Sequence, residues 1–172
     1  GAPYLIMRLL RGGTLDLLLR QGPLPLDALH RIAPQGGQAL DAAHTLGVLH
    51  QDIKPANILL DELQNGYLAD FGIAKNLSFI EGGSVTEQGR LISSPAYISP
   101  EQIRDEPLRP SSDIYCFGLL LFEMLTGEKA FQGPTPVSLL QQHLENPLPL
   151  LRECAPGLPL GLDDLPQRAT AK

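Results

Sequence analysis

The sequence is poor in features that mark several large classes of protein. It has only two cysteines, Cys116 and Cys154, and they lie far apart in the chain. A dense disulfide framework is therefore excluded, and a reducing compartment is favoured. The longest apolar run, residues 114–122, ends at Glu123 and is far shorter than the roughly 18 residues that a membrane span needs. These absences favour a globular domain that folds without disulfides and has no membrane segment of its own.

Positive charge and metal-binding clusters are also scarce. The chain of 172 residues has 13 basic and 19 acidic side chains, for a net charge of −6. A balance of this sign gives no electrostatic footprint for nucleic acid or for an anionic membrane surface, so we expect neither as a partner. The four histidines form no H-x-x-x-H pattern and accompany no cysteine cluster, so we expect no zinc site.

The most informative stretch is residues 50–60, which read H-Q-D-I-K-P-A-N-I-L-L. Asp52 supplies a carboxylate that can orient a hydroxyl group and accept its proton, and Lys54 supplies an ammonium that can neutralise a phosphoryl group. The amide oxygen of Asn57 is a suitable ligand for magnesium. Asp70, which lies 13 residues further along and is followed by Phe71 and Gly72, supplies a second oxygen ligand beside a glycine hinge. This set of side chains is typical of phosphoryl transfer.

These motifs resemble those of the Hanks-type, or eukaryotic-like, serine/threonine protein kinases. That family has a catalytic loop of the form H-R-D-x-K-P-x-N and a metal-binding D-F-G. Residues 94–101, S-P-A-Y-I-S-P-E, are similar to the end of its activation segment, with Ser99 where the family has alanine. Residues 112–118, S-D-I-Y-C-F-G, are similar to the start of its buried helix. The S-P-E-Q and P-A-N forms look similar to those of bacterial members.

The resemblance implies an α+β fold, namely the mostly helical C-terminal lobe of the protein-kinase fold with short β-hairpins around the catalytic loop. It covers nearly the whole chain but only the second part of the family's pattern. No glycine-rich loop and no Val-Ala-x-Lys strand precede Tyr4. We therefore expect residues 1–172 to be a partial kinase domain, made of the hinge strand and the large lobe, without the small lobe and the extreme C-terminal helix. The missing small lobe of the parent kinase would then be a partner.

By the same resemblance, Asp52 and Lys54 are the catalytic residues, and Asn57 and Asp70 bind magnesium together with the phosphates of ATP. His50 is expected to stack on the phenylalanine of the D-F-G motif and to play a structural role.

The resemblance also implies a site for the adenine ring. Met7 takes the gatekeeper position, the backbone from Arg8 to Leu10 faces the adenine edge, and Leu59 packs beneath the ring. For Leu59, a plain core role explains the residue equally well.

Three further residues have implied roles. Asp113 is expected to be buried at a helix start and to accept backbone N–H groups of the catalytic loop. Ser94 is expected to contact Asp52 and Lys54. Gln51 replaces the arginine that clamps a phosphate on the activation segment, and a neutral amide cannot make that charge-assisted pair. Activation through phosphorylation of the segment, at residues such as Ser84 or Ser93, is therefore not expected, while the chemistry of transfer is unaffected.

Hydrophobic periodicity and local breakers predict the secondary structure. The predicted elements are a hinge strand over residues 4–7, a helix over residues 15–19 capped by Thr14, a long helix over residues 26–46, a hairpin turn over residues 61–67 around Asn65-Gly66, a mobile activation segment over residues 76–94, a buried helix over residues 114–125, an amphipathic stretch over residues 136–144 and a helix over residues 162–172. Pro34, Gly36 and Gly37 fall inside the long helix, where they predict a kink or a weak region.

The leading hypothesis is thus a serine/threonine protein kinase that transfers the γ-phosphate of ATP to a protein substrate, with ATP and Mg²⁺ as cofactors. Lys54-Pro55 favours serine/threonine over tyrosine specificity. A small-molecule phosphotransferase of the aminoglycoside-kinase type lacks the long segment that ends in Pro-Glu. A pseudokinase or truncated binding module is the remaining alternative. We expect a cytoplasmic location, although the parent protein could be membrane-anchored.

Overall fold

The computed structural model describes residues 7–71, 84–85, 91–92, 95–159 and 161–172. Within these residues the helices are α1 (Leu15–Leu19), α2 (Leu26–Thr45), α3 (Pro100–Arg104), α4 (Pro110–Thr126), α5 (Pro136–Glu145), α6 (Leu151–Cys154) and α7 (Asp164–Ala169). The strands are β1 (Gly13–Thr14), β2 (Ile58–Leu60), β3 (Gly66–Leu68), β4 (Ser84–Val85) and β5 (Leu91–Ile92). Single 3₁₀ turns span Pro55–Asn57 and Pro95–Tyr97.

Helix α4 forms the centre of the core, as its apolar sequence predicts. Leu119, Leu120 and Met124 are at most 1% exposed, and α4 packs against α2 on one side and α7 on the other. The helix ends where Gly127 adopts a left-handed backbone with φ of 74°, a conformation that glycine adopts without steric cost. At the opposite side of the core, Thr14 caps α1 by accepting a hydrogen bond from the backbone of Leu17.

Helix α2 runs without interruption through the positions that predict a kink or a weak region. Pro34 lies on its exposed side, whereas Gly36 is buried against α4. A Cβ atom at Gly36 would lie only 2.8 Å from the Phe117 ring, so the close approach of the two helices explains this glycine. Nothing in the structure explains Gly37, where an added Cβ atom would have no neighbour within 4 Å. The kink itself stays a prediction.

The hairpin around the candidate site is formed by β2 and β3, which pair antiparallel with Ile58 opposite Leu68. Strand β1 pairs with the other edge of β2. The hairpin turn predicted over residues 61–67 is confirmed with narrower bounds, because residues 61–65 connect the strands and Gly66 already belongs to β3. The left-handed residue of the connection is Gln64, with φ of 61°. The two short strands predicted to follow residues 50–57 are therefore confirmed, and their connection is two residues shorter than the predicted turn.

The carboxylate of Asp61 organises that connection. It accepts hydrogen bonds from the backbone of Leu63 and from both the backbone and the side chain of Asn65, at 2.9–3.0 Å. These bonds, the Asn65 side chain first among them, lower the pKa of Asp61 to about 2. A side chain thus stabilises the connection over residues 61–65 between the two strands.

The segment before β1 has no regular secondary structure from Met7 onward, and the remainder of the predicted hinge strand lies outside the described residues. Most of the predicted activation segment, from residue 76 to residue 94, also lies outside them. In the part of the chain that is described, no helix combines the length and the hydrophobicity that crossing a membrane requires.

Candidate active site

The loop that follows α2 is anchored to the start of α4 by a buried carboxylate. Asp113, only 2% exposed, accepts the backbone N–H of His50 at Oδ2 and that of Gln51 at Oδ1, both at 2.8 Å. His44 Nε2 lies 2.9 Å from Oδ2 as well. The predicted scaffolding role of Asp113 is therefore confirmed, and its attachment to α4 ties the loop to the most buried helix of the protein.

Gln51 has a left-handed backbone, with φ of 66°. A residue with a side chain adopts this conformation at a cost of roughly 1–3 kcal/mol, and it persists only where surrounding contacts hold it. Here the Gln51 N–H is bound by Asp113, and its carbonyl oxygen accepts a hydrogen bond from Gln102 Nε2 at 2.8 Å. Hydrogen bonds thus hold this strained residue at both its N–H and its carbonyl group. It lies directly before Asp52.

Two of the predicted site residues, Lys54 and Asn57, converge on one carboxylate oxygen of a third, Asp52. Lys54 Nζ lies 2.7 Å from Asp52 Oδ2, and Asn57 Nδ2 donates to the same oxygen at 3.0 Å and to the Asp52 carbonyl at 2.7 Å. The 3₁₀ turn Pro55–Asn57 makes this short-range convergence geometrically feasible. Within the described residues, Asp52 Oδ1 accepts no hydrogen bond, and the side chain remains 27% exposed. Among the described residues, one oxygen of Asp52 is thus fixed by two donors while the other has none.

The Asp70 loop is tied to the same region through His50. The rings of His50 and Phe71 are in contact, with centroids 4.6 Å apart and planes tilted by 45°, which confirms the predicted contact but not a parallel stack. His50 Nε2 lies 2.9 Å from the Ala69 carbonyl, and the Asp52 N–H approaches Nδ1 at 3.3 Å. Because a carbonyl only accepts, the proton belongs on Nε2, consistent with burial lowering the pKa of His50. The histidine therefore acts as a neutral bridge between the two loops.

Asp70 itself is exposed and has a left-handed backbone, with φ of 58°. The preceding residue, Ala69, donates its N–H to the Asn57 carbonyl at 2.9 Å, so the chain segments that carry Asn57 and Asp70 are directly joined. No hydrogen bond between described residues occupies the Asn57 amide oxygen. An amide oxygen and a carboxylate are hard donors that suit Mg²⁺, and the two residues fit that ion by their chemistry.

Two of the residues predicted to surround an adenine ring, Arg8 and Leu59, lie at the middle of the hairpin. Met7 is 64% exposed, and both Leu10 and Leu59 are half-buried. The Arg8 guanidinium lies over the Tyr67 ring, 5.5 Å from its centroid. Since Tyr67 pairs with Leu59 across the hairpin, this contact docks residue 8 onto the strands that carry Leu59. No described contact joins these four predicted residues to the Asp52 cluster.

Ser99, which replaces the alanine expected before Pro100, is fully buried and caps α3. It forms a capping box with Gln102, whose side chain also reaches Gln51. The role of Gln102 was missed, although the S-x-x-Q spacing is a capping-box signal that the sequence displays. The predicted contacts of Ser94 lie outside the described residues.

A second feature near α3 was also missed. The Tyr97 hydroxyl donates to Glu123 Oε2 on α4, and burial raises the pKa values of both groups. This bond fixes the 3₁₀ turn Pro95–Tyr97 against the core. It lies at the end of the predicted activation segment, and no local spacing signal connects residues 26 positions apart.

Comparison with known proteins agrees with this geometry. The protein kinase domain family matches residues 2–155. Serine/threonine-protein kinase PknL of Mycobacterium tuberculosis (strain ATCC 25618 / H37Rv) is 38% identical over 171 residues, which cover 99% of this chain and 42% of that protein. Serine/threonine-protein kinase PknB of Mycobacterium leprae (strain TN) is 37% identical over 172 residues, which cover 99% of this chain and 27% of that protein. The chain thus spans less than half the length of these curated relatives.

Proposed function

The chain belongs to the protein kinase domain family, and from this premise we propose that the protein transfers the γ-phosphate of ATP to a serine or threonine hydroxyl of a protein substrate. The observation that carries the proposal is the convergence of Lys54 and Asn57 on one oxygen of Asp52. The names of both relatives, serine/threonine-protein kinases, support the choice of acceptor.

In this proposal Asp52 positions the acceptor hydroxyl. Its Oδ2 is held by Lys54 and Asn57, which orients Oδ1 without occupying it. The substrate oxygen forms a bond to the γ-phosphorus while the bond between that phosphorus and the bridging oxygen breaks, so that ADP leaves. Asp52 accepts the hydroxyl proton late in the transfer. The Lys54 ammonium offsets negative charge beside the carboxylate and the transferred group.

We further propose that Asn57 and Asp70 hold Mg²⁺ through their side-chain oxygens. The bound metal would neutralise phosphate charge and orient the phosphates. The backbone from Arg8 to Leu10 would face the adenine edge, with Met7 as gatekeeper and Leu59 beneath the ring.

Residues 1–172 are accordingly proposed to form the hinge and the large lobe of a kinase domain. A cytoplasmic location fits both the use of ATP and the reduced state of Cys116 and Cys154, neither of which forms a disulfide.

The test separates the roles of the two carboxylates in the full-length protein. Asp52→Asn should retain nucleotide binding while turnover falls by about 100-fold or more, the scale of a lost general base. Asp70→Asn should in addition weaken magnesium-dependent nucleotide binding, because this residue addresses the metal. Asp41→Asn, an exposed change on α2, is the control and should leave both quantities unaltered.

Transfer of labelled phosphate to a serine-containing protein and nucleotide affinity are measured separately. A parent protein that binds ATP but transfers no phosphate would support a binding module instead of an enzyme. Equal loss of nucleotide affinity in Asp52→Asn and Asp70→Asn would show that their roles are wrongly assigned.

A further inference from the structure

Gln102 connects the end of the Pro95–Tyr97 region to the loop that carries Asp52. Its backbone N–H donates to Ser99 Oγ at 3.3 Å, and its Oε1 accepts the Ser99 N–H at 3.0 Å. Its Nε2 donates to the Gln51 carbonyl at 2.8 Å. The acceptor and the donor of one side-chain amide are therefore both used, each toward a different segment of the chain.

The Gln51 carbonyl is a sensitive place for such a bond. The oxygen of Gln51 and the nitrogen of Asp52 belong to one rigid peptide plane. The Asp52 N–H in that plane approaches His50 Nδ1 at 3.3 Å. On the opposite side of the plane, the Gln51 carbonyl oxygen accepts a hydrogen bond from Gln102 Nε2. The orientation of the plane determines where the Asp52 side chain begins, and the left-handed backbone of Gln51 is maintained only by such surrounding contacts.

We propose that Gln102 is a positioning residue for Asp52. This proposal rests on the proposed phosphoryl-transfer function. The side chain fixes the peptide plane between Gln51 and Asp52 and couples it to the capped start of α3. The side-chain amide meets both requirements, whereas an ionised carboxylate at this position has acceptors alone and would oppose the Gln51 carbonyl oxygen. The residue touches neither the acceptor hydroxyl nor the phosphate and acts through the backbone.

The experiment uses Gln102→Glu and Gln102→Met in the full-length protein. Both variants should lower kcat about tenfold, the effect of one lost buried hydrogen bond, without changing the KM for ATP. In Gln102→Glu, protonation of the new carboxyl group restores a donor. The ratio of its kcat to that of the parent protein should therefore recover as the pH falls from about 7 towards the ordinary glutamate pKa of about 4.3, whereas Gln102→Met should show no recovery.

Gln167→Glu is the matched control. Gln167 Nε2 also donates to backbone carbonyls, those of Leu148 at 2.9 Å and Pro149 at 3.2 Å, but these belong to the region between α5 and α6. This variant should keep kcat within about twofold of the parent protein at every pH. A kcat for Gln102→Glu equal to that of the control, or a loss that does not recover at low pH, would overturn the positioning role.

Hydrogen exchange of the Asp52 backbone amide gives a readout that does not depend on activity. It should be faster in both Gln102 variants than in Gln167→Glu, because the peptide plane is no longer held at its carbonyl. Unchanged exchange would also overturn the inference. If the parent protein transferred no phosphate, the proposed function would fail, while the exchange rates would still decide whether Gln102 holds the loop.

Discussion

Replacing Asp113 with asparagine should detach the catalytic loop from α4 at one point. The carboxylate accepts two backbone N–H groups and lies against His44 Nε2, all at 2.8–2.9 Å. An asparagine has almost the same shape but only one acceptor oxygen. Its NH₂ group must therefore face a donor on one side, whichever way the amide is oriented.

In the orientation of lower free energy, the amide oxygen accepts from two donors, the backbone N–H of His50 and Nε2 of His44. The Gln51 N–H then loses its acceptor and faces a second donor. A hydrogen bond to a charged group contributes about 1.5–3 kcal/mol, so we expect Asp113→Asn to lower the free energy of unfolding by about that amount. Because Gln51 is strained, this loss should also displace the adjoining Asp52 and reduce kcat.

The measurement is urea denaturation followed by circular dichroism, combined with steady-state kinetics of the full-length protein. Asp163→Asn is the control, since Asp163 Oδ1 accepts a single backbone N–H, that of Leu151, at 2.7 Å. An amide oxygen can replace that acceptor, so the loss there should stay near 0.5–1 kcal/mol, roughly the value of a neutral bond. If Asp113→Asn destabilised the protein no more than Asp163→Asn, the anchoring role would be refuted.

Two further predictions concern packing and pH. Gly118→Ala should destabilise the protein by about 1–3 kcal/mol, because a Cβ there would lie 2.7 Å from the Cβ of Ala169. Gly37→Ala is the control and should stabilise the protein by up to about 1 kcal/mol. Changes of the same sign in the two midpoints of thermal denaturation would contradict this. Burial lowers the pKa of His143 to about 4 from 6.5, so the unfolded chain binds the proton more readily. Stability should therefore fall as pH decreases through this window, by about 2 kcal/mol at pH 5. His143→Leu should show a flatter pH profile, and an unchanged profile would contradict the assignment.

Local sequence signals predicted the elements whose stabilising groups are close in the chain. Thr14 caps α1 through a residue three positions away, and Gly127 follows α4 directly. The convergence of Lys54 and Asn57 on Asp52 likewise spans only five residues. In each case the backbone geometry of a short segment fixes which groups can meet, so residue type and spacing are sufficient.

The hairpin between β2 and β3 shows what local signals leave open. The Asn65-Gly66 pair marks the turn region, but the carboxylate of Asp61 binds Leu63 and Asn65 and stabilises a connection over residues 61–65, with Gly66 already in β3. The sequence contains both signals. Their competition is decided by hydrogen bonds and by pairing with the neighbouring strand, which a scan for turn residues does not weigh.

The sequence by itself determined the central helix, the strands beside the catalytic loop and the identity of the charged side chains, because periodicity and short spacing encode them. Tertiary structure alone decided which distant groups hold that loop. Gln51 is hydrogen-bonded to Asp113, 62 residues away, and to Gln102, 51 residues away. Position 36 has room only for glycine because the Phe117 ring of another helix lies against it. Such contacts depend on how α2, α3 and α4 pack together, and no local pattern specifies a partner that only the folded core brings within reach.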